Sequence, residues 1–169
     1  MDTLKAILSR RSIRKYSGKV IPEEYYEIML KAAMHAPSAR NRQPWHFIVI
    51  SDKIVMNRLA ESNTSWKMLS QADKAIVVCG DTETEDAESF LIQDCSAATQ
   101  NILLAAHELG LGAVWLGVHP REDRVQEIRK ALTVPARIIP VSMISIGSPD
   151  EERSAENRFI AERVHFDRW

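Results

Sequence analysis

The sequence predicts a single domain in which helices and strands alternate, and three observations lead to this prediction. The 169 residues suit one domain of ordinary size, long enough to bury a hydrophobic core. Apolar residues recur at three- and four-residue spacing from Leu91 to Leu109, which indicates a long helix. Three short apolar runs, at His46 to Ser51, Ala75 to Gly80 and residues 138 to 146, have the length of buried strands. The predicted order is therefore helix, helix, loop, strand, helix, strand, helix, strand, helix, strand and tail.

Two helices are expected before the first strand. The first is short and amphipathic, and Asp2 or Thr3 is a suitable N-cap. Its apolar face consists of Leu4, Ile7 and Leu8. The second helix is expected to begin at Pro22, which two glutamates follow near the positive end of the helix dipole, and to end at Pro37.

The later elements carry their own signals. His46 to Ser51 is apolar on successive residues, which predicts a strand buried on both faces. Gly110 is expected to end the long helix, and Pro140 indicates that the last strand begins at a sheet edge or an irregularity. The long helix has a wide apolar surface, and its small residues would let another helix approach closely, either within the chain or across a dimer. These small residues are Ser96, Ala97, Ala98 and Ala105.

The segment from Ala36 to Trp45 has the composition of a ligand-binding loop. Two prolines restrict its backbone, so the loop is expected to be stiff. Ser38, Asn41 and Gln43 could direct polar groups at a planar polar ligand with little loss of entropy. An ordinary connection between a helix and a strand is the alternative, since proline, serine and asparagine are common in loops.

A cluster of cations follows the first helix. It consists of Arg10, Arg11, Arg14 and Lys15. The planar guanidinium of arginine can hold two phosphate oxygens, and Ser12 can add a hydroxyl donor. The cluster therefore indicates a phosphate site, although simple pairing of cations with a helix C-terminus would give the same composition.

Taken together and in this order, the motifs resemble the nitroreductase family of FMN-dependent oxidoreductases. The resemblance rests on the long central helix and on Arg10-Arg11-Ser12-x-Arg14, Pro37-Ser38-x-x-Asn41-x-Gln43-Pro44-Trp45, Ala113-Val114-Trp115-Leu116-Gly117 and Arg163-Val164-His165-x-x-x-Trp169. It covers nearly the whole chain. Residues 1 to 169 thus look like one short, single-domain FMN-binding member of this family.

The resemblance implies an α+β fold with a central, mostly antiparallel sheet flanked by helices. It also implies an intertwined homodimer built around the long helix, with both chains contributing to each active site. The C-terminal residues are consistent with a dimer, because exposure of each large apolar side chain would cost about 1.5 kcal/mol or more. These side chains are Phe159, Ile160, Val164, Phe166 and Trp169. The tail is expected to wrap the partner subunit, and packing on its own core is the alternative.

The resemblance further implies which residues bind FMN. The phosphate and ribityl chain are assigned to Arg10, Arg11, Ser12 and Arg14. Arg158 is expected to reach the same phosphate. Family members often carry a further basic residue two positions earlier, where this chain has Glu156, so that contact is not carried over.

The isoalloxazine ring is assigned by the resemblance to a loop of the partner subunit and to one strand end. The loop residues are Pro37, Ser38, Ala39 and Asn41. Leu116 and Gly117 end the strand whose backbone faces the flavin, where glycine would allow close approach. A glycine that simply starts a turn toward Pro120 is the alternative. Lys67 is a weaker match to a lysine near the pyrimidine end of the ring and could equally be a solvated surface lysine.

Other classes of site are excluded or disfavoured by the sequence. Gly110 and Gly112 lie after a helix and before a strand, the reverse of the order that a Rossmann fingerprint requires. Cys79 and Cys95 are too few for a disulfide scaffold or a zinc site, and both are expected to be buried, reduced thiols. No metal site is expected.

Composition argues against several kinds of partner. Lys plus Arg (22) nearly balances Asp plus Glu (23), so the net charge of −1 gives no indication of nucleic acid or membrane binding. No apolar run has the length of a membrane span, and the start of the chain lacks a signal-peptide pattern. A cytoplasmic location is therefore expected.

Similar enzymes use a ping-pong cycle, which the resemblance implies here. NAD(P)H would deliver a hydride to flavin N5, and an electron-poor acceptor such as a nitroaromatic or a quinone would then be reduced in the same cavity. The five histidines show no spacing that singles one out, so no catalytic acid is assigned. Two alternatives remain: a flavin enzyme of the same fold with different chemistry, such as dehalogenation or flavin fragmentation, and a noncatalytic flavin-binding or sensing protein.

Overall fold

The structure is a computed structural model that describes residues 2–169, and its order of elements confirms the predicted one. The helices are α1 (Thr3–Ser9), α2 (Glu23–Met34), α3 (Lys53–Ser62), α4 (Glu88–Glu108) and α5 (Glu122–Leu132). The strands are β1 (Trp45–Ile50), β2 (Lys74–Asp81), β3 (Gly112–Gly117) and β4 (Ile138–Gly147). Short 3₁₀ turns lie at Ala39–Asn41, Thr64–Ser70 and Ala161–Arg163.

The four strands form one antiparallel sheet in the order β1-β2-β4-β3. This arrangement confirms the α+β fold with a central antiparallel sheet. Pro140 lies in the central strand β4, where the register with β2 shifts between Val78 and Cys79. An irregularity, rather than a sheet edge, therefore accommodates the proline, which has no backbone N–H to donate.

Helices cover both faces of the sheet, so the central strands are apolar on successive residues. Alternate residues of β2 point to opposite faces: Val77 belongs to the core beneath α3 and α5, whereas Ile76 belongs to the core beneath α2 and α4. Both side chains are fully buried. The sheet is thus the middle of three layers, and α4 spans one of its faces.

The prediction that the first strand is buried on both faces is wrong for this chain. His46 and Val49 of β1 are exposed, and only the two end residues, Trp45 and Ile50, are buried. The physical reason is position, because β1 lies at the edge of the sheet and the helices cover it less completely than β2 and β4.

Helix α1 begins as expected, but its apolar face is not covered by the chain itself. Asp2 is the N-cap, and its carboxylate accepts a hydrogen bond from the Leu4 amide at 2.8 Å. Leu4, Ile7 and Leu8 are nevertheless exposed. Every residue from 152 to 169 is exposed as well, including Trp169 at the end of the tail. The tail therefore does not pack on its own core.

Two smaller expectations can be settled. Pro22 is the N-cap residue of α2, just before the first turn, and α2 ends at Met34, three residues before Pro37. Cys79 and Cys95 are both buried free thiols, as predicted. Burial raises the pKa of the Cys79 thiol to about 12, and it also raises the pKa of Cys95. Both are therefore poor nucleophiles near neutral pH.

Candidate functional site

The basic segment after α1 is fixed against the start of β3. Arg10 caps the C-terminal end of α1, and the Ile13 amide donates a hydrogen bond to the Ala113 carbonyl at 3.0 Å. Arg10 is half-buried. Its pKa is lowered by burial and then by the positive charges of Arg11 and Arg158. The fold thus brings the tail arginine close to the N-terminal cluster, although 148 positions separate Arg10 from Arg158.

Arg11 holds the tail beside this cluster. Its guanidinium donates to the Ser154 carbonyl at 3.1 Å and to the Glu156 carbonyl at 3.3 Å. The same group donates to the Leu8 and Arg10 carbonyls, so most of its five N–H bonds are already used. Glu156, which departs from the family pattern, takes part here through its backbone.

Arg14 and Ser12 remain accessible in this segment. The Glu151 carboxylate accepts hydrogen bonds from the backbone amides of Arg14 at 2.6 Å and of Lys15 at 3.2 Å. The bond from the Arg14 amide is the main cause of the lowered pKa of Glu151. The side chain of Arg14 is exposed and Ser12 is half-buried. A cavity of about 490 Å³ lies beside the cluster, lined by Arg11, Arg153 and Arg158 among others.

The loop after α2 has an unusual backbone. Arg40, Asn41 and Gln43 have positive φ values of 52°, 56° and 51°, a region that residues other than glycine seldom occupy. The Gln43 amide donates to Ser38 Oγ at 3.0 Å, and Gln43 Nε2 donates to Asn41 Oδ1 at 2.9 Å. The loop is therefore held by bonds between its own polar groups as well as by its prolines.

Within one chain, the loop and the basic cluster lie at different ends of α4. The Ala39 amide donates to Asp94 Oδ1 at 3.0 Å, whereas Ser9 Oγ lies 2.8 Å from His107 Nε2. Asp94 and His107 are 13 residues apart on this helix, or about 20 Å at 1.5 Å per residue. A single chain does not bring these two motifs together.

The end of β3 meets a third group of residues. Arg124 Nη1 donates to the Gly117 carbonyl at 2.7 Å, and the Arg124 guanidinium lies 5.8 Å from the centre of the Trp66 ring. Arg124 Nη2 also reaches Ser65 Oγ at 3.5 Å. Lys67 belongs to the same 3₁₀ turn as Trp66 and is exposed, so it lies on an element that Arg124 links to Gly117.

Packing within the chain does not require a glycine at position 117. A Cβ atom there would meet only Arg124 Nη1, at an ordinary contact distance of 3.8 Å. The φ of Gly117 is also outside the positive range that favours glycine. Leu116 beside it is buried. Packing among the described residues therefore does not explain the glycine at this strand end.

Sequence reasoning missed the residues that link these segments. Arg124 and Trp66 are separated by 58 positions, and Asp94 lies inside an apolar helix pattern. The Nε atom of Arg124 and the indole Nε1 of Trp66 are buried, with no hydrogen-bond partner among residues 2–169. An acidic residue on the apolar side of a helix is the one signal that could have identified Asp94 beforehand.

Other features of the chain lie apart from these motifs. A cavity of about 700 Å³ is bordered by Glu88, His119 and Arg129, and none of its lining residues belongs to the basic cluster or to the loop. Among the described residues, no group of histidine, cysteine and acidic side chains could hold a metal ion. Over the same residues, no helix combines the length and apolar character needed to cross a membrane.

Comparison with known proteins identifies the family. The model of the nitroreductase family matches residues 7–81 and 60–148. A protein of Methanothermobacter thermautotrophicus, provisionally named NADH dehydrogenase/NAD(P)H nitroreductase, is 47% identical over 169 residues, which cover 100% of this chain and 88% of that protein.

Solved structures agree with this result. A protein of Parabacteroides distasonis with the same provisional name is 40% identical, with a TM-score of 0.95 over 99% of this chain and 98% of that chain. A provisionally named nitroreductase from Desulfovibrio desulfuricans, crystallised in complex with FMN, is 33% identical, with a TM-score of 0.86 over 100% of this chain and 98% of that one. On these matches and on the antiparallel sheet with its flanking helices, the chain belongs to the nitroreductase family.

Proposed function

We propose that this protein is an FMN-dependent oxidoreductase that takes a hydride from NAD(P)H and reduces an electron-poor acceptor such as a nitroaromatic or a quinone. The convergence of Arg11 and Arg158 on one cavity, next to Arg10, carries the proposal, because a phosphate is the natural counterion for such a cluster. The names of the relatives, which include NAD(P)H nitroreductase and an FMN complex, support the same cofactors.

The residues present suit FMN at both of its ends. Arg10, Ser12, Arg14 and Arg158 would hold the phosphate and ribityl chain, with Arg11 securing the tail and adding its remaining donor. At the far end of β3, the backbone of Leu116 and Gly117 would lie against the isoalloxazine ring, with Lys67 near its pyrimidine end.

The ring site is completed by a second copy of the chain. The loop that carries Pro37, Ser38, Ala39 and Asn41 lies about 20 Å along α4 from the basic cluster of its own chain. A partner whose α4 runs in the opposite direction would bring its loop to this cluster. The exposed face of α1 and the exposed tail provide the apolar surface for such a homodimer.

The protein contributes binding, orientation and electrostatics to the chemistry. FMN, when bound, supplies the group that accepts a hydride and passes it on. Arg124 places a positive charge 2.7 Å from the Gly117 carbonyl, where it would favour the anionic form of a reduced ring. The reductant and the acceptor would use the same cavity in turn, which corresponds to a ping-pong cycle.

Two alternatives keep the same cofactor but differ in chemistry. A flavin enzyme that performs dehalogenation or flavin fragmentation, and a noncatalytic flavin-binding or sensing protein, would both use the basic cluster and the loop. The first half-reaction, in which NAD(P)H reduces the bound flavin, separates the proposed reductase from these alternatives.

Anaerobic stopped-flow mixing tests the proposal. The purified yellow protein is mixed with NADH or NADPH, and the visible absorbance of the flavin is expected to bleach within seconds. A nitroaromatic or a quinone, added in a second mixing step, is expected to restore the absorbance, and steady-state double-reciprocal plots should be parallel. A fully FMN-loaded protein that neither nicotinamide cofactor reduces over minutes would contradict the reductase proposal and favour a sensor.

A further inference from the structure

The loop after α2 is tied to its surroundings by two buried carboxylates. Asp94 on α4 is 6% exposed, and its Oδ1 accepts the Ala39 amide at 3.0 Å. Glu85 is fully buried, and its Oε1 accepts Arg42 Nη1 at 3.1 Å. Each carboxylate leaves its second oxygen without a hydrogen-bond partner among the described residues. Burial of carboxylates with an unsatisfied oxygen is unfavourable, so the presence of these two groups needs an explanation.

The conformation that these contacts hold is itself unfavourable. Arg40, Asn41 and Gln43 all have positive φ, and strained backbone of this kind persists only where the surroundings fix it. The Ala39 amide opens the 3₁₀ turn that contains Arg40 and Asn41, so its bond to Asp94 anchors the strained turn to the rigid helix α4. The second tether, through Arg42, holds the other end of the turn.

The hydrogen bonds inside the loop determine which groups remain available. Ser38 Oγ accepts the Gln43 amide and therefore keeps its own O–H as a donor. Asn41 Oδ1 accepts Gln43 Nε2 and therefore leaves the Nδ2 amide hydrogens as donors. The side chains of both residues thus present donors, and an acceptor atom is their natural partner.

We propose that Asp94 is a positioning residue: through the Ala39 amide it holds the strained loop so that Ser38 and Asn41 present donors to acceptor atoms of the flavin ring. This inference rests on the proposed function. It assigns the oxygen and nitrogen acceptors of the isoalloxazine as the atoms that the loop contacts. Asp94 itself does not touch the flavin.

Substitution at position 94 tests the inference. Asp94→Asn keeps an oxygen that can accept the Ala39 amide, whereas Asp94→Ala removes it. Asp94→Ala is expected to weaken FMN binding about tenfold or more, the loss that follows from removal of one charge-assisted hydrogen bond. Asp94→Asn exchanges this bond for a neutral one and should weaken FMN binding by only about threefold, clearly less than Asp94→Ala. The visible circular dichroism of its bound flavin should match that of the parent. Asp123→Ala, an exposed Asp-to-Ala change on α5, is the matched control.

A second readout needs no flavin. Arg40 and Arg42 are trypsin sites within the loop, and cleavage of the flavin-free protein there reports how firmly the loop is held. The parent and Asp94→Asn are expected to resist cleavage, and Asp94→Ala should be cut about tenfold faster at these two sites alone. If the parent binds no FMN, the proposed function fails, while the cleavage rates still decide whether Asp94 holds the loop.

Several results would overturn the inference. Equal FMN affinity and equal cleavage of Asp94→Ala and the parent would show that the loop does not depend on Asp94. Equal impairment of Asp94→Asn and Asp94→Ala would show that the Ala39 hydrogen bond is not the cause. If Asp94→Ala does not fold, Gln43→Leu decides, because Gln43 is exposed: release of Asn41 should weaken FMN binding severalfold without lowering the melting temperature, and unchanged binding would refute the inference.

Discussion

At the scale of single residues, the arginines of the basic segment divide their tasks. Arg11 donates hydrogen bonds to backbone carbonyls of α1 and of the tail, so it fixes the tail beside the basic cluster. Arg10 is half-buried, and its lowered pKa reflects burial and the nearby charges of Arg11 and Arg158. Arg14 is exposed, with its backbone amide rather than its side chain bound to Glu151. Arg14 is therefore the residue of this cluster with the most accessible guanidinium.

Replacement of Arg14 by glutamate is expected to weaken FMN binding. A charge-assisted contact of about 1.5–3 kcal/mol would be lost and replaced by repulsion, which corresponds to at least about a tenfold rise in Kd. Fluorescence titration of flavin-free protein with FMN measures the effect. Lys19→Glu makes the same change in net charge at an exposed position and should bind normally. Equal affinity of Arg14→Glu and the parent would remove Arg14 from the site.

At the scale of elements, the separation of β2 and α4 depends on close contact at one glycine. A Cβ at Gly80 would lie 2.2 Å from Cδ2 of Leu91, and Leu91 is fully buried in the core between the sheet and α4. Such a distance forces the leucine or the helix to move. Gly117 differs, because a Cβ there would meet Arg124 at 3.8 Å. Packing within the chain thus requires a glycine at position 80 but not at position 117.

Paired alanine substitutions test this distinction. Gly80→Ala is expected to lower the free energy of unfolding by about 1–3 kcal/mol, because overpacking displaces buried side chains. Gly117→Ala should leave the stability of the flavin-free protein nearly unchanged while weakening FMN binding. Urea unfolding of both flavin-free variants supplies the measurement. A Gly80→Ala protein as stable as the parent would show that α4 shifts at little cost.

At the scale of the whole molecule, two features support the proposed homodimer: the exposed apolar surface, and the distance between the loop and the basic cluster. The face of α1 and the tail residues Phe159 to Trp169 are uncovered in one chain. The predicted ring loop and the basic cluster are about 20 Å apart along α4. The homodimer that we propose would cover this apolar surface and would pair each cluster with the partner's loop.

Removal of residues 159 to 169 is expected to damage association and flavin retention together. The deletion keeps Arg158 but removes five large apolar side chains that would bury surface against the partner. Sedimentation at low micromolar protein should show a dimer for the full chain and a shift toward monomer for the truncated one, with flavin lost in parallel. A full-length monomer that retains FMN would contradict the shared site.

The sequence by itself determined the features that depend on residues close together along the chain. Apolar periodicity identified α4 and the strands, and Pro140 marked an irregularity. The composition of the loop and of the basic segment led to the proposed ligand site. Such signals are local, since helix and strand periods and turn preferences are set within a few residues. The order of these motifs also indicated the family.

Only the tertiary structure decided what depends on contacts between distant residues. The strand order exposed His46 and Val49, although the β1 sequence is as apolar as a central strand. The hydrogen bonds of Asp94 to Ala39 and of Arg124 to Gly117 have no signature in the sequence, because packing of separate elements creates them. Burial makes these contacts strong and leaves some of their donors and acceptors unsatisfied. The contacts that hold the proposed site in place therefore come from long-range packing, which no local sequence pattern encodes.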